Sequence, residues 1–539
     1  MAWYDEAIFY HIYPLGMTGA PKQNTYDKPV HRLNTLLPWI SHIKALGCNA
    51  LYIGPLFESV GHGYETTDYK KLDSRLGTNS DLTQFVAQCH EQGIRVILDG
   101  VFNHTGRDFF AFQDILKNRE QSPYKDWYCN VNFYGNNEYN DGFSYDNWGG
   151  YNLLVKLNQH NPAVKDYICD VIRFWVKTFD IDGIRLDAAD VLDFQYMQAL
   201  RHTANEVKPD FWLMGEVIHG DYNRWVNEGT LHSVTNYHLH KALYSGHNDH
   251  NYFEIAHTVK RLYGMGGNRP DGLKLYNFVD NHDVERIFTK LNNKAHYLPT
   301  HILLYTLPGI PSIYYGSEFA IEGKKMRGSD DSLRPMLCYD DYADAISTNP
   351  HTKLIAALGA IRQKTKALSY GDYKELALTT HHYAFSRNLD NQMVIVTVNN
   401  GDTEAYIMLP AGNHPSFTGA LSGRQVFAEN GCIKISVSGN SGEIWIPDDV
   451  DTAAFVPVSL DVLKKADQPT PQAEEPAVEM LPEKPLDLNK PFEQMTIEEL
   501  QQSILARMKK NGPVTDQMRR QVMENVYPDS LLNWVKSFR

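Results

Sequence analysis

Four short stretches of this chain set carboxylates beside basic or imidazole side chains. They are ILDGVFNH, with Asp99, Asn103 and His104; GIRLDAAD, with Arg185 and Asp187; MGEVIH, with Glu216 and His219; and FVDNHD, with His282 and Asp283. Each acid closes an apolar run, a position that core packing does not explain. Carboxylates gathered in this way serve nucleophilic attack and proton transfer, provided the fold brings them together.

The elements that must do so are legible as a rhythm. Eight short apolar, β-branched or aromatic runs alternate with longer helical periodicity: Ile8–Tyr13, Ala50–Ile53, Val96–Leu98, Gly183–Leu186, Phe211–Met214, Val234–Tyr237, Leu275–Val279 and Ser312–Tyr315. Helices are expected between them, among them Ser80–Gln92, with Ser80 as N-cap and Gly93 just beyond its end, Pro162–Phe179 and Phe194–Val207. That alternation predicts an α/β fold, a (β/α)8 TIM barrel over residues 1–370, in which sites form at the C-terminal ends of different strands. A doubly wound sheet is the rival, but no GxGxxG opens a helix, so a dinucleotide site is unsupported.

After the third strand the helical rhythm fails over about residues 103–161, an aromatic, Asn- and Gly-rich stretch that reads as an inserted subdomain walling a cleft. Its rings, Trp127, Tyr134, Tyr139, Tyr145 and Trp148, are expected to build mostly its own small core. Residues 371–458 alternate as an antiparallel β-sandwich domain. A Pro/Glu-rich linker is expected over 459–492, then a small helical module over 493–539 that packs on itself and docks on the barrel, with association with a partner as the alternative.

Composition narrows the ligand. The 539 residues carry a formal net charge of -14, which excludes nucleic acid as the main partner because phosphate contacts need clustered Lys and Arg. Aromatic residues make up 12%, including 32 Tyr, a supply of flat hydrogen-bonding side chains suited to sugars. No run approaches the roughly 18 apolar residues of a membrane span, and the start, MAWYDEAIFYHIYP, has no signal-peptide pattern, so a cytoplasmic protein with no membrane partner is expected. The six cysteines are scattered, as free thiols in a reducing compartment would be.

On these motifs the chain resembles the α-amylase family of retaining glycoside hydrolases over about residues 4–458. VKLNQHNPAV (residues 155–164) and HGYETTDY (residues 62–69) resemble its neopullulanase, cyclomaltodextrinase and maltogenic amylase branch. Retention at an α-glycosidic bond needs a nucleophilic carboxylate and a carboxylic acid about 5 to 5.5 Å apart. The resemblance makes Asp187 the nucleophile, kept ionised by Arg185, and Glu216 the general acid and then base, its pKa expected high from burial and nearby negative charge. It makes Asp283 the third acid, on the sugar hydroxyls. It implies substrate contacts from Tyr64, His104, His282 and His62, from His219 on the acceptor side, and from Arg334 in DSLRPM, with Asp99 and Asn103 in support. Calcium at Asn103 occurs in secreted members. Here no EF-hand spacing exists, so loop capping by these side chains is the preferred expectation and no cofactor is assigned.

The resemblance implies hydrolysis of α-1,4 bonds in maltodextrins, cyclodextrins and related α-glucans by double displacement, with transglycosylation beside it. An α-1,6-glucosidase or glucosyltransferase of the same family is the alternative, and a non-catalytic amylase-like subunit a remote one, opposed by the intact motifs. Two departures stand out. Branch members place a β-domain before the barrel, whereas here the first strand is expected at Ile8, so their dimer and cyclodextrin preference do not carry over and the oligomeric state stays open. His219 follows Ile218 where a Trp is usual, which removes an expected acceptor-side indole.

Overall fold

The computed structural model describes residues 2–267, 269, 271–326, 329–450, 455–465, 491–492, 497–511, 522 and 535–536. Eight parallel strands form the first sheet: β1 (Phe9–Ile12), β2 (Ala50–Ile53), β3 (Arg95–Gly100), β4 (Gly183–Leu186), β5 (Trp212–Gly215), β6 (Ser233–Val234), β7 (Tyr276–Asn277) and β8 (Ile310–Tyr314). Their order is β6-β5-β4-β3-β2-β1-β8-β7, and a parallel bridge from Thr235 to Tyr276 joins the two ends, so the sheet closes as the expected barrel.

Two strands are shorter than their sequence pattern. The expected Val234–Tyr237 strand stops at Val234 because Asn236 caps the helix Tyr237–Asn248, its side chain accepting from the Leu239 N–H at 3.1 Å. The expected Leu275–Val279 strand is reduced to Tyr276–Asn277. The helix Asn79–Glu91 starts one residue before Ser80, and its cap is Thr78: the Thr78 N–H and hydroxyl both donate to Asp81 at 2.7 Å, a reciprocal pairing for which Ser80 has no carboxylate three residues on. The helix Pro162–Phe179 follows the prediction, with Asn161 accepting from the Ala163 N–H and Pro162 in the first turn.

Between β3 and β4 the insert is more regular than expected. It contains a helix, Phe110–Asn118, whose Ala111, Phe112 and Ile115 are buried, and a three-stranded sheet of His104–Gly106, Tyr151–Lys156 and Asn147–Trp148. Beyond the barrel, eight antiparallel strands form the β-sandwich: β9 (Lys374–Leu378), β10 (His382–Leu389), β11 (Gln392–Asn399), β12 (Ala405–Pro410), β13 (Ser416–Gly419), β14 (Gln425–Glu429), β15 (Cys432–Val437) and β16 (Ser441–Pro447). Ile395, Phe417, Ile435 and Trp445 lie in its core. Leu460 and Leu463, where the linker was expected to begin, are buried against the main core.

The chain divides into two compact units, Met1–Asp467 and Gln468–Arg539. In the second, Leu500, Ile504 and Leu505 of the helix Ile497–Asn511 pack with Val522 and Val535, so this module has a core of its own. The linker over 466–490 and most of the two further helices expected in the tail lie outside the described residues. Among the described residues no helix is long and apolar enough to cross a membrane. Of the cysteines, all free, Cys48, Cys89 and Cys169 are buried and Cys338 is exposed.

Candidate active site

Strand alternation aims the acids into the cleft. Side chains two apart share a face, so each inward row climbs from apolar to charged: Ile97 then Asp99 on β3, Gly183 then Arg185 then Asp187 through β4, and Trp212, Met214 then Glu216 through β5. Ile97, Trp212 and Met214 fill the barrel interior with Phe9, Tyr52 and Tyr276. The register places Arg185 level with Asp99 on one side and Met214 on the other. Gly183 is required there, since a Cβ would stand 2.5 Å from the Trp212 carbonyl oxygen.

Arg185 is the hub. Its Nη1 donates to Asp187 Oδ1 at 2.7 Å and to Asp99 at 2.9 and 3.1 Å, and its Nη2 lies 2.9 Å from Glu216 Oε2. Asp99 also accepts from the Tyr52 hydroxyl at 2.7 Å, and Glu216 from the Ala188 N–H at 3.0 Å. One guanidinium thus serves three carboxylates. Burial pushes the Asp187 carboxyl well up, Arg185 pulls it down, and the charges of Glu216 and Asp99 push it up again.

Across the cleft, Arg334 joins the group. It donates to Asp283 Oδ1 at 2.9 Å, to the His282 carbonyl at 2.9 Å and to Asp330 at 3.2 Å, and lies 4.5 Å over the ring of Tyr13. Burial would raise the Asp283 carboxyl, but His282, 3.0 Å away, and Arg334 outweigh it and hold it well below the usual range. His282 has Tyr13 and Tyr64 as neighbours, with ring centroids 5.9 and 5.8 Å away and near-parallel planes, and the Tyr64 hydroxyl bonds to its Nε2. His62 stands exposed at the rim, 3.2 Å from Glu65.

His104, for which the resemblance implies a substrate contact, makes two hydrogen bonds within the protein. It is buried, its Nε2–H donates to the Tyr64 carbonyl at 3.1 Å, and its Nδ1 accepts from Asn103 at 3.3 Å. Burial lowers its pKa to about 4, so it is a neutral brace for Tyr64. The Asn103 amide oxygen accepts from Gln159 at 3.0 Å, and among the described residues no group of three or more His, Cys, Asp or Glu is placed to hold a metal ion.

Beside Glu216, the exposed Ile218 and His219 line a cavity of about 420 Å³ with Tyr237, Tyr244, Asp283 and Lys325. Tyr237 and Lys325 were missed in the sequence, as were Tyr13 and Tyr52. Tyr13 was discoverable, since it stands where β1 ends at the C-terminal face.

Such a barrel, with three acids and a guanidinium on successive strand ends, defines a glycosidase-type site. Residues 32–355 match the model of the alpha-amylase catalytic domain. A cyclomaltodextrinase from Bacillus sp is 30% identical over 441 residues, 77% of this chain and 76% of that protein. Neopullulanase 2 from Thermoactinomyces vulgaris is 29% identical over 471 residues, 82% of this chain and 78% of that protein. Among solved structures, a cyclomaltodextrinase matches with a TM-score of 0.73 at 27% identity, covering 83% of this chain and 78% of that one. The native form of the Nostoc punctiforme debranching enzyme matches with a TM-score of 0.70 at 26% identity, covering 82% and 98%. The chain belongs to the α-amylase family of glycoside hydrolases.

Proposed function

We propose that this enzyme hydrolyses α-1,4 bonds of maltodextrins, cyclodextrins and related α-glucans with retention, in the cytoplasm. The observation that carries the reading is the shared guanidinium, which holds Asp187 and Glu216 side by side while Asp283 faces them on Arg334. An Asp187 oxygen attacks the anomeric carbon as Glu216 gives its proton to the departing glycosidic oxygen, leaving a glucosyl ester. Water then adds at the same carbon, its proton passes to Glu216, and the Asp187 carboxylate is released. Asp283 holds the hydroxyls of the distorted ring, positioned by Arg334 and His282. His62 and Tyr64 lie at the rim and wall of the same ring's site, and Asp99 and Asn103 support it from beneath. A sugar entering the cavity of about 420 Å³ beside Glu216 in place of water gives transglycosylation.

A fluorinated glycosyl fluoride that slows the second step tests the reading. It should add one glycosyl mass to the peptide bearing Asp187, and fresh products of maltotriose should have the α configuration. Labelling elsewhere, or a β product, would overturn it. Rates on maltotriose, isomaltose, pullulan and cyclodextrin separate it from an α-1,6-glucosidase or a glucosyltransferase.

A further inference from the structure

The insert carries two adjoining cavities that the catalytic acids do not line. One, of about 650 Å³, has Glu120, Asn132, Tyr134 and Ser144 in its walls, and the other, of about 380 Å³, has Lys125, Asp126 and Asn158. Both are also lined by Asn130, Val131, Phe133 and Asp146, so they run on as one groove along the insert. Neither lining contains Tyr64, His104, Asp187, Glu216 or Asp283, or any residue of the cavity beside Glu216.

Main-chain pairing frames the groove. Asn132 and Ser144 exchange both N–H···O bonds, at 2.8 and 3.0 Å, and the Asp146 N–H donates to the Cys129 carbonyl at 3.0 Å. Phe133, common to both cavities, is held from behind. Its ring lies 5.5 Å from that of Phe143, and the Arg119 guanidinium stands 5.4 Å from the first ring and 5.1 Å from the second while donating to the Asp141 and Gly142 carbonyls. Beside it Tyr134 is fully exposed, whereas the insert's other exposed rings, Phe110, Tyr139, Trp148 and Tyr151, line neither cavity. The polar walls are oriented in the same way. Asn130 donates to Asp146 Oδ2 at 2.8 Å and the Tyr134 N–H to Asn132 Oδ1 at 3.0 Å. Among the described residues, Asp146 Oδ1 and the Asn132 amide N–H groups are left without partners.

These walls select a chemistry. Glu120, Asp126 and Asp146 stand against Lys125 alone, which disfavours an anion. Carboxylate and amide oxygens accept from hydroxyls, amide N–H groups donate to them, and an uncharged aromatic face suits the C–H face of a sugar ring. A groove open along its length admits a chain. We propose that this groove is a second, non-catalytic binding site for a strand of neutral polysaccharide, an α-glucan, with Phe133 and Tyr134 as its platforms. It would tether a polymeric substrate at the insert while another strand of it occupies the cleft, and linked binding at two places strengthens both. The choice of ligand rests on the reading of the cleft as a glucan hydrolase site.

The test measures the mobility of the full chain in native gels containing glycogen, with Asp187→Asn present throughout so that the polymer is not digested. Adding Tyr134→Ala should raise the glycogen concentration needed for half-maximal retardation at least about fivefold, and Phe133→Ala should do the same. Tyr134 is fully exposed, so its removal leaves the fold intact even if Phe133→Ala lowers the melting temperature. With Asp187 restored, Tyr134→Ala should lower kcat/KM on glycogen and leave that on maltotriose, short enough to occupy the cleft alone, within about twofold of the parent. Unchanged retardation in Tyr134→Ala, or equal proportional losses on glycogen and maltotriose, would overturn the second site while leaving the catalytic reading intact. Failure of the parent to hydrolyse maltotriose would overturn the catalytic reading, and the choice of ligand with it.

Discussion

Arg185→Gln is the perturbation that most directly tests the hub. The parent guanidinium, buried in the barrel mouth, serves Asp99, Asp187 and Glu216 at 2.7 to 3.1 Å. Without it Asp99 keeps the Tyr52 hydroxyl and Glu216 keeps the Ala188 N–H, whereas Asp187 relies on Arg185. At least one buried carboxylate thus loses its counter-charge, a loss of about 3–5 kcal/mol. The Asp187 carboxyl, already raised by burial, should rise further once the opposing charge is gone. A carboxyl raised in the fold binds its proton more tightly there than in the unfolded chain. Its contribution to stability is present at low pH and lost as pH rises through the folded pKa. The deficit of the variant, read from urea unfolding midpoints followed by tryptophan fluorescence, should therefore be smaller at pH 5 than at pH 8. Since the nucleophile must be ionised, the acid limb of kcat/KM should move to higher pH. Arg185→Lys should fall between, because one ammonium cannot span three carboxylates. A Gln variant with the parent's midpoint at pH 8 and an unmoved acid limb would refute the hub.

Asp187→Asn should lower kcat on maltotriose by about four orders of magnitude or more while maltotriose still binds by calorimetry; turnover at the parent rate would sink the assignment of the nucleophile. Burial holds His247 and His301 down to about 3 and His296 to about 4, against about 6.5 in an unfolded chain. Being neutral in the fold, each makes a contribution that is lost as pH falls below about 6.5, by up to about 1.4 kcal/mol per pH unit until its folded pKa is reached. Melting curves should shift steeply downward between pH 6.5 and 4.5, and a flat Tm over that window would count against neutral burial. The buried Arg75 pairs with Asp73 at 2.8 Å and donates to the carbonyls of Pro21 and Gly61, tying the loop after β1 to the segment before Tyr64. Arg75→Ala should cost about 3–5 kcal/mol and open Lys22 and Lys28 to trypsin, and a cleavage rate equal to the parent's would contradict that tie.

The parts of the fold legible in the sequence are those written in local chemistry. Asn161-Pro162 marks its helix because an amide oxygen and a missing N–H are what a first turn uses. The start of the helix at Asn79 was misplaced because two hydroxyl side chains two positions apart look alike until Asp81 is seen to answer Thr78. Tyr237 read as strand because aromatic side chains favour both sheets and buried helix starts. Its assignment turned on Asn236, which also donates to Asn277 at 2.8 Å on the next strand.

The sequence by itself determined that Asp99, Asp187 and Glu216 stand at the ends of their strands, with Asp283 in the loop that follows β7, because period-two alternation sends alternate residues inward and an acid can be tolerated there only at the open mouth. Only the tertiary structure decided what those acids meet. Asp99 and Arg185 are 86 residues apart, and Tyr64 and His282 are 218 apart, and barrel closure alone makes them neighbours. The same closure set His104 against the Tyr64 carbonyl, since hydrogen-bond partners are properties of position in space, which no local pattern carries.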